Sequence, residues 1–203
     1  RAHIQLSGTA APLVPPRFDD IYAATVSYGH GIAVSPLAFA SAYSALANKG
    51  ELMPPTLIAE TMADARVPRR VMSAPTAALV TRMLREAVMT GTGSRADVAG
   101  YRVAGKTGTA EKPVAGGYSE FDNICSFAAI FPADNPQFVV LIVLDAPQPG
   151  EGRGRTAAWN AAPTAGRVIE RIAPMLGIAP RFDPPPQSSP ATMVHSVSDR
   201  STL

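Results

Sequence analysis

Two largely apolar runs, residues 124–131 and 138–144, flank the segment Pro132-Ala-Asp-Asn-Pro136 and constrain this chain more than any other feature. Each run has the length of a strand and is short for a helix, and the segment between them has turn chemistry. An antiparallel hairpin follows. Neither run alternates apolar with polar residues, so both strands are expected to be buried on two faces. Residues 101–110 supply a further strand ahead of the hairpin. A sheet of this kind needs helices to cover it, and three helical signals are present. Ser35-Pro36 combines an N-cap with proline at the first helical position, Leu37, Ala40, Ser44 and Ala47 share one face, and Gly50 follows, which predicts a helix over 36–48. Ser73 opens a second over 74–89, with Leu79, Val80, Met83, Ala87 and Val88 at helical spacing and Gly91 and Gly93 to stop it. A third, over 156–173, puts Ala158, Ala162, Ala165, Val168, Ile169 and Ile172 on one stripe, with Pro163 expected to kink it and Gly177 near its end. The expected fold class is α+β, an antiparallel sheet covered by helices.

At 203 residues, 46% hydrophobic and 17% charged, the chain suits one globular domain. Its formal charge of +2 is spread without a basic block, which argues against nucleic acid as a partner. Cys125 lies inside an apolar run and reads as a small buried hydrophobe. The run 138–144 is too short to cross a bilayer, and the first residues, starting at Arg1, hold no signal-like apolar core, so the chain reads as a fragment. Residues 1–18 are expected to be an irregular entry, 19–98 a helical segment, 101–177 the sheet with its covering helix, and 180–203 a disordered tail rich in proline and serine. The domain thus spans 1–179.

Gly100-Tyr-Arg-Val-Ala-Gly-Lys-Thr107 satisfies the spacing of a phosphate-binding loop, and the apolar run ending at Asp145 resembles a strand that delivers a magnesium-binding aspartate. That chemistry needs a helix starting at the Gly-Lys-Thr, so that backbone N–H groups cradle phosphate. Gly108, Pro113, Gly116 and Gly117 would break any such helix, and residues 94–99 are too polar for the strand that should precede the loop. A nucleotide hydrolase therefore ranks second. Taken as a strand, 102–110 puts Lys106 and Gly108 on one face and Thr107 and Thr109 on the other. Gly108 would allow another element to come close, Lys106 would bring positive charge, and the threonine hydroxyls could hold a carboxylate. From these residues alone, a plain solvent-exposed strand is the simpler reading.

The wording of the segment points further. Gly105-Lys-Thr-Gly-Thr-Ala-Glu-Lys112 resembles the Lys-Thr-Gly region of class B penicillin-binding proteins, and Thr25-Val-Ser-Tyr-Gly-His-Gly31, Val34-Ser-Pro-Leu37, Tyr43, Ala47-Asn-Lys-Gly50, Pro54, Gly91-Thr-Gly93 and Gly100-Tyr-Arg-Val103 resemble neighbouring blocks of its septal members, in order. The resemblance runs from about Asp19 to Ala173. It implies a penicillin-binding/serine β-lactamase-like fold and a peptidoglycan D,D-transpeptidase, in which a serine of a Ser-x-x-Lys motif attacks the penultimate D-Ala carbonyl of a stem peptide and an amine resolves the acyl-enzyme. By position, Lys106 would organise the other motifs, Thr107 and Thr109 would bind the substrate carboxylate, the Thr109 N–H would be an oxyanion donor, and Gly108 would keep the strand close to the nucleophile. The implied partners are the stem peptide or its lipid-linked precursor, β-lactams, a septal glycosyltransferase and other division proteins. The implied location is the inner membrane, with the catalytic domain in the periplasm and the anchor outside this chain. No cofactor is implied.

The chain has no Ser-x-x-Lys and no Ser-x-Asn, so the resemblance implies that both lie upstream and that the isolated chain does no covalent chemistry. A non-catalytic relative that binds cell-wall or division partners is the third reading. Tyr28 and His30 fall where septal members offer an aromatic wall to the cleft, which makes them candidate substrate contacts; a metal role for His30 is not expected. The loop 113–122 is expected to be a mobile flap. Glu111 and Asp145 show no acid–base spacing, and Trp159 reads as helix packing.

Overall fold

The computed structural model describes residues 10–58, 66–150, 152 and 154–182. The elements run in the order α1 (Asp20–Ser27), α2 (Pro36–Ala47), β1 (Glu51–Leu52), β2 (Arg69–Arg70), α3 (Ala74–Met89), β3 (Ala104–Val114), β4 (Gly117–Phe131), β5 (Phe138–Asp145) and α4 (Ala161–Met175), with a 3₁₀ turn at Ser94–Ala96. Strands β3, β4 and β5 form an antiparallel sheet in that order. The mixed α+β architecture agrees with the sequence reading.

Local chemistry sets most of the boundaries. Ser35 accepts from the Ala38 N–H at 3.2 Å and Ser73 from the Thr76 N–H at 3.2 Å, each followed by proline in the first turn. Helix α1 was not anticipated, yet Asp19 caps it by accepting from Tyr22 N–H at 2.9 Å. In α3 the buried stripe is Ala77, Thr81 and Val88, whereas Leu79 and Met83 are exposed. The apolar periodicity over 79–88 therefore pointed to a face rotated from the one used, because small residues at 77 and 81 admit the closer packing. Helix α4 begins at Ala161, not at 156: Asn160 caps it, and the preceding residues form a turn. Pro163 falls in the first turn, where its absent N–H costs no intrahelical bond, so the expected kink has no cause.

The sheet's core face is odd-numbered along β4. Cys125, Phe127, Ala129 and Phe131, none of them exposed, form one buried cluster with Val103, Val88 and the face of α4 formed by Ala161, Ala165 and Ile169. Strand β4 is buried on both faces over 127–131, but β5 is only half-buried, with Val143 exposed. The two-sided burial expected for both strands holds for the central one alone, since β5 has a strand neighbour on one side among the described residues.

Two further expectations change. Residues 113–122 are not a loop: Val114 pairs with Gly117 and the ladder continues on both sides, with a bulge between Glu111 and Pro113. Gly116, at φ +91°, lets the chain reverse within two residues. The end of the domain also extends past 179. Ile178 joins the core, the Arg181 N–H donates to the Gly100 carbonyl at 2.8 Å, and Arg181 and Arg102 both bond Asp134. Residues 180–182 are therefore docked against the turn that leads into β3; residues 183–203 of the expected tail, like 1–9 of the expected entry, lie outside the described residues.

Tyr43 on α2 meets the Phe39 ring edge-on at 5.1 Å, and burial pushes its phenol up to about 12 from 10.0. A phenol that titrates at about 10 when unfolded and about 12 when folded binds more protons in the folded state between those values. Its contribution is thus complete below pH 10 and lost as pH rises through 12, amounting to roughly 2 to 3 kcal/mol. Denaturant titrations from pH 9 to 12 should show this loss and Tyr43→Phe should remove it.

Candidate active site

Among the described residues strand β3 lies at an edge of the sheet, so one of its sides has no strand partner along residues 104–114. Lys106 is exposed and its Nζ donates to the Thr107 carbonyl at 3.2 Å. Opposite it on β4 is Ala128, and opposite Gly108 is Ser126. A Cβ at Gly108 would lie 2.6 Å from Ser126 Oγ, and one at Gly105 would lie 2.5 Å from the Ala128 carbonyl and 2.7 Å from the Phe127 ring. Glycine at these two positions is what lets β3 lie flat against β4.

The threonines alternate with Lys106, as the strand reading required. Thr107 Oγ1 lies 2.8 Å from Thr92 Oγ1, and Thr109 Oγ1 accepts from the Ala157 N–H at 3.0 Å. Cys125, paired with Thr109 across the ladder, is buried, with its thiol 3.2 Å from the Arg155 carbonyl. Two elements therefore hold β3 from the threonine side: the turn after α3 at Thr92, and the segment entering α4 at Ala157. The sequence reading missed both contacts. Gly91-Thr-Gly93 was visible as a helix stop and as a block of the family resemblance but not as a partner of β3, and a backbone N–H at Ala157 has no sequence signature.

Tyr28 and His30 lie in the exposed turn after α1 with their ring centroids 6.4 Å apart, and among the described residues neither makes a hydrogen bond to β3. A surface groove of about 360 Å³, lined by Leu13, Tyr22, Ile32, Ala33 and Tyr118, joins this region to the tip of the β3–β4 hairpin. Trp159 sits in the turn before α4, with the Arg95 guanidinium 3.7 Å above its ring. Its role is packing between elements, outside the helix proper.

The nucleotide reading fails on this geometry. Residues 105–107 are strand, not the start of a helix, so successive N–H groups point to opposite sides and do not converge on one phosphate. The Asp145 carboxylate is taken by Lys112, at 2.8 Å and 3.0 Å, and that hydrogen bond raises the lysine's pKa above its ordinary 10.5. Among the described residues no group of three or more His, Cys, Asp or Glu could hold a metal ion, and no helix is long and apolar enough to cross a membrane.

Known proteins share this fold. The family described as penicillin binding protein transpeptidase domain matches residues 1–169. The chain belongs to that family. Among its relatives, the probable peptidoglycan D,D-transpeptidase FtsI of Caulobacter vibrioides is 43% identical over 189 residues, covering 87% of this chain and 32% of that protein. Stage V sporulation protein D of Bacillus subtilis is 34% identical, covering 88% and 29%. In structure, the transpeptidase domain of Burkholderia pseudomallei penicillin-binding protein 3 superposes with a TM-score of 0.79 at 36% identity, covering 88% of this chain and 54% of that one. Penicillin-binding protein 3 of Mycobacterium tuberculosis complexed with ampicillin gives 0.74 at 34%, covering 92% and 45%. The chain spans about a third of the length of these curated relatives. Penicillin-binding transpeptidases, then, supply the fold expected from the sequence.

Proposed function

We propose that this chain forms the substrate-carboxylate wall of a serine peptidoglycan D,D-transpeptidase, a target of β-lactams. The observation that carries the reading is Lys106-Thr-Gly-Thr109 on an exposed edge strand, in a chain 43% identical to a protein named for that activity. An edge strand can pair with an extended peptide, and the threonine hydroxyls beside it can donate to a terminal carboxylate. The serine hydroxyl attacks the penultimate D-Ala carbonyl, its proton goes to a base, the C–N bond breaks and D-Ala leaves with a proton. The amine of a second stem peptide then attacks the ester, and the serine recovers its proton as the crosslink forms. Lys106 contributes positive charge beside the serine and the carboxylate, Gly108 keeps the strand near the nucleophile, and the Thr109 N–H is one of two oxyanion donors. Tyr28 and His30 contribute to the far wall of the cleft.

The serine is not in this chain, which holds neither Ser-x-x-Lys nor Ser-x-Asn. On this reading the acting protein works on wall precursors in the periplasm from an inner-membrane anchor, beside a septal glycosyltransferase and other division proteins. Resemblance to FtsI supports the septal assignment. A fluorescent penicillin should label the complete protein and leave this chain alone unlabelled. Labelling of the isolated chain would overturn the assignment of its role, and no labelling of the complete protein would overturn the transpeptidase reading itself.

A further inference from the structure

The Gly91-Thr-Gly93 turn has no part in the reaction just described, yet its side chain is the nearest polar partner of a residue that does. Both glycines fold tightly over the last turn of α3: a Cβ at Gly91 would lie 2.8 Å from the Ala87 carbonyl, and one at Gly93 3.1 Å from the same oxygen. This tight wrap leaves Thr92 as the one side chain of the turn, exposed and 2.8 Å from Thr107 Oγ1. Either hydroxyl can be the donor in that pair. Thr109 differs: its oxygen already accepts from the Ala157 N–H at 3.0 Å, and its proton has no acceptor among the described residues.

The two contacts have the same logic. A threonine hydroxyl has one proton and can accept on its oxygen. Once a donor occupies the oxygen from behind, the proton is what remains to offer, and a hydroxyl that is itself accepting donates more strongly. Ala157 does this for Thr109. We propose that Thr92 does it for Thr107, as a positioning residue that turns the Thr107 proton toward the substrate carboxylate. The inference rests on the transpeptidase reading above. Thr92 donates to Thr107, Thr107 donates to one carboxylate oxygen, and Thr109, held by Ala157, donates to the other. An anion bound this way meets one hydroxyl already oriented, Thr109, and one whose partner is already in place, Thr107, so less ordering is needed on binding. Without an anion the Thr92–Thr107 bond can point either way, and binding selects one direction.

The test uses the complete protein and measures acylation by benzylpenicillin and by its methyl ester, which lacks the negative charge. Thr92→Val keeps the shape and removes the hydroxyl. Its selectivity, the ratio of the free-acid rate to the ester rate, should fall about ten-fold, the size of one hydrogen bond to a charged group. Thr92→Ser should restore the ratio to within about two-fold of the parent, since it returns the donor. Because Thr92 is exposed, Thr92→Ala provides a second variant free of any misfit of valine, with the same expected loss. A Thr92→Val protein that keeps the ratio, or that slows both compounds equally, would overturn the proposal and leave Thr92 a structural contact. An unsubstituted protein that reacts with neither compound would instead remove the transpeptidase reading, and this inference with it.

Discussion

Replacing Lys106 with alanine in the complete protein should slow acylation by penicillin by roughly 100- to 1,000-fold, with thermal stability unchanged. Lys106 is exposed, and its side chain makes a 3.2 Å hydrogen bond to the neighbouring Thr107 carbonyl. Surface substitutions away from buried networks usually change stability by no more than about 0.5 kcal/mol. On the proposed reading the loss should therefore lie in the chemistry, through a positive charge at a site of developing negative charge. Lys106→Arg should recover little, because a planar fork cannot replace a compact ammonium group at close quarters. Stopped-flow acylation with thermal melts on the same samples separates the two effects. A variant that acylates at the parent rate would remove Lys106 from the mechanism, and one that unfolds would make it structural.

The second large effect is expected at Phe127. This ring is wholly buried at the centre of β4, lies opposite Thr107 across the ladder, and fills the space against Gly105 where a Cβ would come within 2.7 Å of it. Truncation to alanine removes the apolar transfer term and leaves a cavity that the flanking strands, fixed by their ladders, cannot close. The cost should be about 3 to 5 kcal/mol, read from denaturant titration. Met83→Ala is the control: it lies on the exposed side of α3 and should cost under about 0.5 kcal/mol. Because Phe127 supports the strand bearing Lys106 and the threonines, its loss should also lower acylation, and chemical stabilisation that restores folding should restore activity in proportion. A cost below about 1 kcal/mol would mean that the sheet tolerates the void, contrary to the packing described.

Much of this was legible in the chain itself because it depends on neighbours in sequence. Serine followed by proline in the first turn starts α2 and α3, since an orphan N–H needs a nearby acceptor and proline has no N–H to leave orphaned. The breakers after Thr107 ranked a phosphate loop second, and the choice of strand over helix there bore on which chemistry Lys106 could take part in. The strand order and the half-exposure of β5 were not legible, because they depend on which elements are adjacent in space. The same holds for the docking of residues 180–182, whose composition resembles a tail but whose backbone and Arg181 bond the turn at Gly100 and Asp134. Residues 113–122 read as a flap because glycine and proline are turn formers wherever they stand, and only pairing with β4 decides between a loose loop and a two-residue reversal.

At the candidate site the division is equally physical. Sequence alone determined the residue types on β3 and their alternation, because a strand has a period of two and a lysine, a threonine, a glycine and a threonine in that order allow one arrangement about its axis. It also determined the family, through blocks spread along most of the chain. What only the tertiary structure decided is which groups partner the hydroxyls. A hydroxyl proton is free to rotate until a second group engages it, and the groups at hand, the Thr92 hydroxyl and the N–H of Ala157, come from 15 residues before Thr107 and 48 after Thr109. Folding brings them to one face of β3, and with them the order that a carboxylate would meet.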